Sequence, residues 1–247
     1  MEFMALVVDK DEEKSTPSSE VKKVSLSELP EGDVLVNVEY SNVNYKDGLC
    51  IGPGAGLVKT YPHVPGIDFA GPVENSENEK FQKGDRVILT GWRVGEVVWG
   101  GYAQKARVKA SQLVKMPEGM SSKQAMTMGT AGFSAMLSII RLEEFGMTKG
   151  NGEVLVTGAT GGVGSVSTVI LSNLGYEVVT VSGKSSSGDY LKSLGAKRTI
   201  DRSELNEVIK RPMESAAWAG CIDTVGGDTL SRLLGQLKSV SYTHLRA

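Results

Sequence analysis

A glycine-rich run in the middle of the chain has the residue types and spacing of a phosphate-binding loop. It reads TGATGGVG at residues 157–164 and follows an apolar run, 153–157, that predicts a buried strand. Glycines let the backbone approach a pyrophosphate, and the N-terminus of a following helix offers unpaired N–H groups. The strict G-x-G-x-x-G spacing is not met. We interpret the run as a variant dinucleotide-binding loop, in preference to a purely structural strand-to-helix turn.

The residues at the end of the next predicted strand, 177–182, indicate which dinucleotide binds. They are Ser182, Gly183 and Lys184, and the first acid after them is Asp189. A site for NAD usually places Asp or Glu there to accept hydrogen bonds from the ribose hydroxyls. A carboxylate would repel a 2′-phosphate, whereas a lysine attracts it. The sequence therefore predicts NADPH, and the alternative for Lys184 is a solvated loop cation.

The elements that position these residues fall into two parts. Before about residue 120, short alternating strands such as 34–40 and 86–89 are bounded by Gly/Pro/Asp turns, which is typical of a small barrel or sandwich. From Gly152 onward, predicted strands at 153–157, 177–182, 198–201 and 219–223 alternate with helices. Repeated βαβ units predict a doubly wound parallel sheet, so the fold class is α/β.

Composition excludes several other classes of protein. The 27 basic and 29 acidic side chains give a net charge of −2, which removes the main driving force for non-specific nucleic-acid binding. The N-terminus lacks a secretory pattern, and the longest apolar run, 130–142, is interrupted by Gly132, Ser134 and Ser138. We therefore expect a cytoplasmic protein without a membrane-spanning segment.

The glycine run also fits the T-G-x-x-x-G-x-G loop of short-chain dehydrogenases. Those enzymes place the loop near the N-terminus and use a Tyr-x-x-x-Lys pair for proton transfer. In this chain the loop begins at residue 157, and no tyrosine is followed by lysine four residues later. That class is excluded.

Several local motifs resemble the medium-chain dehydrogenase/reductase superfamily. They are NYKD at 44–47, VPGIDFAG at 64–71, GGYA at 100–103 and GTAGF at 129–133. More narrowly, LTGW at 89–92, WGG at 99–101, VSGK at 181–184 and IDTVG at 222–226 resemble the acryloyl-CoA reductase branch, once labelled quinone oxidoreductases, and the resemblance covers residues 4–238. The resemblance implies a GroES-like β-barrel domain at 1–124, with catalytic and substrate-binding roles, and a Rossmann NADP-binding domain at 125–247. Because the second domain is short for a six-stranded fold and residues 239–247 depart from the family pattern, we expect a C-terminal truncation with a foreign end.

The resemblance also bears on metal content. Zinc-containing members of the superfamily require a Cys and a His ligand, but Ile67 and Asp68 occupy the segment that carries the histidine. Cys50 and His63 are close in sequence but lack a third ligand. We therefore expect no metal site, and we expect Asp47 and Asp68 to orient backbone turns.

The implied activity is NADPH-dependent reduction of the C=C bond of an enoyl thioester, acryloyl-CoA to propionyl-CoA. The alternatives are an NADPH:quinone or alkenal oxidoreductase, and a non-catalytic NADPH-binding protein. The resemblance further implies a homodimer that acts on a small activated alkene, without nucleic-acid or membrane partners. The cofactor contacts that it implies are Tyr45, Thr160, Gly161, Gly162, Val163, Ser182, Gly183, Lys184, Tyr190 and Arg198.

Two assignments stay open at this point. Tyr45 is the candidate catalytic residue, as proton donor or as hydrogen-bond partner of an enolate, and its alternative role is a core or cofactor-stacking tyrosine. Other cations, among them Lys192 and Arg202, are scattered along the later units. A few of them are candidates for cofactor or CoA phosphates, and most are expected on solvated helix faces.

Overall fold

The computed structural model of the chain describes residues 1–10, 17–52, 56–205, 215–238 and 243–245. The chain divides into two units, Met1–Thr130 and Ala131–Ala247. The division falls inside a long helix, Ser122–Glu144, and the predicted domain boundary after residue 124 lies in the same helix. Each unit is described by itself.

The described residues of the first unit form antiparallel strands and one short helix. The elements are β1 (Glu2–Asp9), β2 (Ser18–Ser25), β3 (Val34–Asn37), β4 (Tyr40–Ser41), α1 (Tyr45–Ile51), β5 (Asp68–Ser76), β6 (Arg86–Thr90), β7 (Lys105–Val108) and β8 (Val114–Lys115). β1 and β2 form a two-stranded hairpin, and the larger sheet has the order β7-β3-β5-β6-β8, with β4 paired to β5. The predicted β-rich first part is therefore confirmed.

Alternating apolar residues build the core of this sheet. Val34 and Val36 in β3 are fully buried, and the directly paired Phe69 and Leu89 of β5 and β6 are buried on the same face. β5 lies in the middle of the sheet and begins at Asp68, while α1 follows β4 through a short connection. This core fixes the segment that carries Tyr45.

The long helix, α2 (Ser122–Glu144), differs from expectation. By length and composition alone it is apolar enough to cross a membrane, which the interrupted run at 130–142 did not predict. In the structure, Ile139 and Leu142 on its second half are fully buried in the core of the second unit. Gly129 breaks the helical geometry with a φ of 46°, a left-handed conformation that glycine adopts without strain.

The second unit is a parallel sheet with helices on both faces. Its described strands are β9 (Val154–Val156), β10 (Val178–Ser182), β11 (Arg198–Asp201), β12 (Gly220–Asp223) and β13 (Thr243–Leu245). Its helices, besides the end of α2, are α3 (Gly162–Asn173), α4 (Gly188–Ser193), α5 (Arg202–Leu205) and α6 (Gly227–Gln236). The sheet order is β11-β10-β9-β12-β13, and each pair is parallel. The doubly wound prediction is confirmed.

One strand was not predicted. Thr243–Leu245 pair in parallel with β12, with Cys221 opposite Thr243. That residues 239–247 are a foreign end stays a prediction. The rest of 239–247 lies outside the described residues. The sheet therefore has a fifth strand beyond the four predicted from sequence.

The two faces of the central strand pack against different helices. Val154 and Val156 of β9 pack with Leu171 of α3, whereas Leu155 packs with Leu233 of α6. This is the alternation expected of a strand buried on both faces. From β9 the chain adds β10 and then β11 on one side of the sheet, and it then returns to add β12 on the other side of β9. The strand order therefore reverses between β9 and β12. In doubly wound sheets, ligands bind outside the carboxyl ends of the strands at this position.

Candidate functional site

The glycine run connects β9 to α3, at the carboxyl edge of the sheet. Gly158 has a φ of 55°, and a Cβ on it would overlap the hydroxyl oxygen of Thr224. A Cβ on Gly164 would overlap the carbonyl oxygen of Gly158 and lie 2.7 Å from the Cα of Ala159. Glycine is therefore required at both positions, because a side chain would overlap Thr224 at position 158 and the start of the loop at position 164.

The loop presents backbone to solvent where a phosphate would bind. Thr160, Gly161 and Gly162 are exposed, whereas Val163 is buried under the first turn of α3. The first N–H groups of an α-helix have no intrahelical acceptor, and the helix dipole favours an anion there. The tight turn is closed by Gly161 N donating to Gly158 O at 2.9 Å. The predicted loop residues thus fit the pyrophosphate of a dinucleotide.

A buried hydrogen-bond cluster joins the ends of β9 and β12 beside this loop. Thr157 Oγ1 donates to the carboxylate of Asp223, and Thr224 N donates to Thr157 Oγ1 at 3.0 Å. The second carboxylate oxygen accepts from Gly226 N at 2.8 Å. Asp223 is 4% exposed. Sequence reasoning quoted this residue only as part of a resemblance, although an acid directly after a buried strand is a signal that could have identified it.

A small cavity opens at the same edge. It has a volume of about 100 Å³, and its lining includes Ser134 and Leu137 of α2, Val163 of α3, Asp223 at the end of β12 and Thr224 after it. Its lining combines apolar side chains with the hydroxyl and carboxylate groups of α2 and of the β12 end. The arrangement places a small, partly open cavity beside the loop, at the point where the strand order reverses.

The turn after β10 is held by hydroxyl groups. Ser182 is buried, and its Oγ accepts from Lys184 N at 3.1 Å and lies 2.7 Å from the Oγ of Ser187. Gly183 and Lys184 are exposed, and Tyr190 on α4 is 48% exposed. β10 pairs Thr180 with Val156 of β9, so this turn and the glycine loop leave the sheet at the same edge. The turn contains no acidic residue, so Lys184 is its charged group.

Arg198 is not placed with these residues. It is the first residue of β11 and pairs with Val179, whereas Asp201 at the other end of β11 pairs with Ser182. At a rise of about 3.3 Å per residue, Arg198 lies about 10 Å along the strand from the carboxyl edge. Its guanidinium donates to Glu153, just before β9, at 2.7 Å. The geometry therefore does not support the predicted cofactor contact of Arg198.

A second arginine, Arg202, lies beside the turn that follows β10. It directly follows β11 at the carboxyl edge, and its guanidinium lies against Gly183. A Cβ on Gly183 would be 3.2 Å from both Cζ and Nε of Arg202. Sequence reasoning grouped Arg202 with scattered surface cations, because nothing in the sequence places it beside Gly183.

Tyr45 belongs to the first unit and is the first residue of α1. Its side chain is 83% exposed, so it is not a core tyrosine. The preceding Asn44 has extended backbone geometry, which fixes where α1 begins. Of the two roles left open from sequence, packing in the protein core is excluded, and contact with a cofactor or substrate stays a prediction.

Two buried carboxylates hold the segment around Tyr45. Asp47 is 1% exposed, and its oxygens accept from Asn44 N at 2.8 Å and Ile67 N at 2.9 Å. Burial raises the pKa of Asp47, while these two hydrogen bonds act in the opposite direction. Asp68 is fully buried and accepts from Thr130 N at 2.7 Å and Asn44 Nδ2 at 3.0 Å. The prediction that both carboxylates orient backbone turns is confirmed.

The residues weighed for a metal site have other partners or surroundings. Cys50 is a buried free thiol, and burial raises its pKa to about 11. His63 Nε2 lies 2.9 Å from the carbonyl oxygen of Gly95, and burial lowers the pKa of the ring. Within the described ranges, no group of three His, Cys, Asp or Glu side chains is placed to bind a metal ion. That the chain needs no metal stays a prediction.

Comparisons with known proteins agree with this arrangement. Residues 30–118 match the family described as the alcohol dehydrogenase GroES-like domain. The acrylyl-CoA reductase AcuI of Ruegeria pomeroyi is 63% identical over 236 residues, which are 96% of this chain and 72% of that protein. The chain thus spans about seven-tenths of the length of this relative.

Two solved structures are similar to this chain in fold and in sequence. The yhdH oxidoreductase of Salmonella enterica in complex with NADP superposes with a TM-score of 0.92, at 46% identity over 98% of this chain and 73% of that one. Bacillus subtilis yhfP with NAD bound gives a TM-score of 0.95 at 40% identity over the same shares, and that protein is described as a putative quinone oxidoreductase. The GroES-like first domain and Rossmann-type second domain are confirmed. The chain belongs to the medium-chain dehydrogenase/reductase superfamily, on the branch of the acrylyl-CoA reductases and their quinone oxidoreductase relatives.

Proposed function

We propose that the chain is an NADPH-dependent acrylyl-CoA reductase, an oxidoreductase that converts the C=C bond of the enoyl thioester to the saturated propionyl thioester. The observation that carries this proposal is the dinucleotide loop at the strand-order reversal, followed by a β10 end with a lysine in place of an acid. The 63% identity to an acrylyl-CoA reductase supports the substrate.

The residues that would hold the cofactor lie mainly at one edge of the second unit. The exposed backbone of Thr160, Gly161 and Gly162, with Val163 beneath, would bind the pyrophosphate. The turn of Ser182, Gly183 and Lys184 would receive the adenosine ribose and its 2′-phosphate, with Tyr190 of α4 as a further contact. When bound, NADPH supplies the hydride that adds to the β-carbon of the thioester, whose α-carbon then takes a proton.

Negative charge develops on the thioester oxygen during this reaction, so the chain must supply a donor toward it. Tyr45 is our candidate for that donor or for the proton donor, because its phenol is exposed and its backbone is held by Asp47 and Asp68 through Asn44. These two carboxylates are occupied by N–H donors, so they take no part in the proton transfer that we propose. A cofactor-stacking role is the alternative for Tyr45.

The test compares substrates with one protein preparation. Oxidation of NADPH is followed by absorbance with acrylyl-CoA, with a simple quinone and with a short alkenal, and the thioester product is identified by mass spectrometry. We expect the highest kcat/KM for acrylyl-CoA and propionyl-CoA as the product. Faster turnover of the quinone would instead support the quinone oxidoreductase alternative. Tight NADPH binding without turnover of any acceptor would support a non-catalytic binding protein.

Assembly and location are part of the same proposal. The branch to which the chain belongs supports a homodimer that acts on a small molecule in the cytoplasm. Sedimentation equilibrium of the purified chain tests the assembly, and a single species of monomer mass at micromolar concentration would contradict it.

A further inference from the structure

A loop of the first unit, residues 91–99, holds two residues in a backbone conformation that is costly for them. Trp92 and Arg93 have φ values of 58° and 61°, and no other non-glycine residue in the described part of the chain has a positive φ. This left-handed region is usually occupied by glycine, because the Cβ of other residues comes too close to a backbone carbonyl oxygen. Such strain persists only where the surrounding structure holds it, and it is concentrated at functional sites.

The rest of the loop is packed tightly. Val94 is fully buried, and a Cβ on Gly95 would lie 2.6 Å from the backbone carbonyl carbon of Gly66. Glu96 is 7% exposed, and its carboxylate accepts a hydrogen bond from Lys46 Nζ at 2.9 Å. These contacts hold the loop in place, so the backbone at residues 92 and 93 cannot relax independently.

The loop is joined to the segment that carries Tyr45. Ile67 N donates to the carboxylate of Asp47 at 2.9 Å, and Ile67 O accepts from Gly91 N at 2.9 Å. Asp47 lies two residues after Tyr45, and Gly91 directly precedes Trp92. One buried residue therefore binds both segments, close in the chain to each of the two exposed aromatic side chains. The lysine–glutamate ion pair of the loop is a second link between the same segments.

The indole of Trp92 differs from the other indoles of the chain. Trp92 is 64% exposed, and within the described ranges its Nε1 donates to no protein acceptor. By contrast, Trp99 Nε1 donates to Pro62 O at 3.0 Å, and Trp218, which is buried, donates from Nε1 to Gln236 at 2.9 Å. An exposed indole on a strained backbone contributes little to the folded state, whereas it offers a bound ligand a large apolar face and one N–H donor.

The proposed substrate contains a group that fits this indole. The pantetheine arm of an acyl-CoA is a chain of methylene and amide groups that ends at the thioester. An aromatic face packs on such a chain, and the indole N–H can donate to an amide oxygen. We propose that Trp92 binds the pantetheine arm of acrylyl-CoA and thereby positions the thioester beside Tyr45. This inference rests on the proposed function, and it favours a CoA thioester over a quinone, which has no such arm.

The test measures affinity with the saturated thioester product. Wild type, Trp92→Gly, Trp92→Phe and the control Arg93→Gly, each saturated with NADP⁺, are titrated calorimetrically with propionyl-CoA, S-propionylpantetheine and adenosine 3′,5′-bisphosphate. We expect Trp92→Gly to weaken both thioesters by about tenfold and to bind the bisphosphate, which lacks the arm, like wild type. Trp92→Phe should recover part of the loss. Arg93→Gly removes the neighbouring backbone strain and should bind all three ligands like wild type.

Two further measurements separate ligand binding from a structural role of the indole. The Tm of Trp92→Gly and of Arg93→Gly should equal or exceed that of wild type, because glycine adopts the left-handed backbone without strain. Tryptophan fluorescence of wild type should change when S-propionylpantetheine binds. We expect Trp99→Phe to retain this change and Trp92→Phe to lose it.

The outcomes distinguish failure of this inference from failure of the proposed function. Equal affinity of wild type and Trp92→Gly for both thioesters would overturn the role of Trp92 and leave the acrylyl-CoA reductase activity standing. A lower Tm of Trp92→Gly, with weaker binding of the bisphosphate as well, would also overturn that role, because the indole would then support the fold. A wild-type chain that reduces a quinone and binds neither thioester would overturn the proposed function and the inference together.

Discussion

The hydroxyl group of Thr157 donates a hydrogen bond to the buried carboxylate of Asp223. Thr157 follows β9 and Asp223 ends β12, the two strands between which the order of the parallel sheet reverses. The same carboxylate accepts from Gly226 N, and the hydroxyl group of Thr157 accepts from Thr224 N. The glycine loop therefore starts from two strand ends that are tied together, which fixes the position of the loop before any ligand binds.

Replacing Asp223 with alanine tests this connection. The substitution removes the acceptor for the Thr157 hydroxyl and for Gly226 N, so we expect the free energy of unfolding to fall by about 1–3 kcal/mol. NADPH affinity should fall as well, because the loop loses its fixed starting point. Urea unfolding and calorimetric titration measure the two effects. Asp228→Ala, at an exposed position in the first turn of α6, is the control. Equal stability of the two variants would contradict the role of Asp223.

The close approach of the loop to α3 gives a second prediction. In Gly164→Ala the new methyl group would overlap the carbonyl oxygen of Gly158 and lie 2.7 Å from the Cα of Ala159, so the loop must move. We expect NADPH affinity to fall by at least about tenfold. Gly150→Ala is the matched control, because a Cβ there has no atom within 4 Å. If both variants bind NADPH like wild type, the loop does not hold the pyrophosphate.

The parts of the fold that depend on local pattern were predictable. The strand at 198–201 was predicted with the observed bounds, and the strands at 153–157, 177–182 and 219–223 were predicted to within one residue at each end. Buried parallel strands are continuous apolar runs between turn residues, and that signal is contained in the sequence itself. The left-handed backbone at Gly129 inside α2 was not predictable, because it depends on the tertiary contacts of Asn42 and Asp68 at that point.

The charged residues of the site show where sequence reasoning ends. Arg198 and Arg202 are four residues apart in one strand-helix unit, and both residue types suit a phosphate. Which of them reaches the carboxyl edge depends on the register of β11 against β10 and on Glu153, which lies 45 residues before Arg198 in the chain. Neither relationship is a local pattern, so residue type alone could not indicate which arginine lies at the carboxyl edge.

Tyr45→Phe separates the two roles left for that side chain. If the phenol donates a proton or a hydrogen bond to the developing enolate, kcat with acrylyl-CoA falls by about 100-fold or more while the Kd of NADPH is unchanged. Steady-state kinetics and calorimetric titration provide the two numbers. Tyr40→Phe, on β4 and 45% exposed, is the control. Unchanged kcat would contradict a role for the phenol and favour stacking, which Tyr45→Ala would then reveal as weaker NADPH binding.

The ion pair that holds Arg198 predicts a pH dependence of stability. The Arg198 guanidinium, followed by Lys197, holds the pKa of Glu153 below its ordinary value of about 4.5. A carboxylate whose pKa is lowered by folding stabilises the protein at pH values above that ordinary value, and this contribution is lost as the pH falls through the folded-state pKa. The side chain of Glu153 is 22% exposed, so we expect Glu153→Gln to lower the free energy of unfolding at pH 7 by about 1 kcal/mol.

The difference in free energy of unfolding between wild type and Glu153→Gln should therefore be largest at pH 7 and should decrease as the pH falls below about 4.5. Urea unfolding at a series of pH values measures this difference. Asp228→Asn, an exposed carboxylate of the same unit, is the control for non-specific effects of charge. In an Arg198→Ala background the Glu153→Gln difference should shrink, because the main cause of the lowered pKa is gone. A difference that stays constant from pH 7 to pH 3 would contradict the pairing. Arg198 would then be free for another role, and the structural argument against its predicted cofactor contact would be lost.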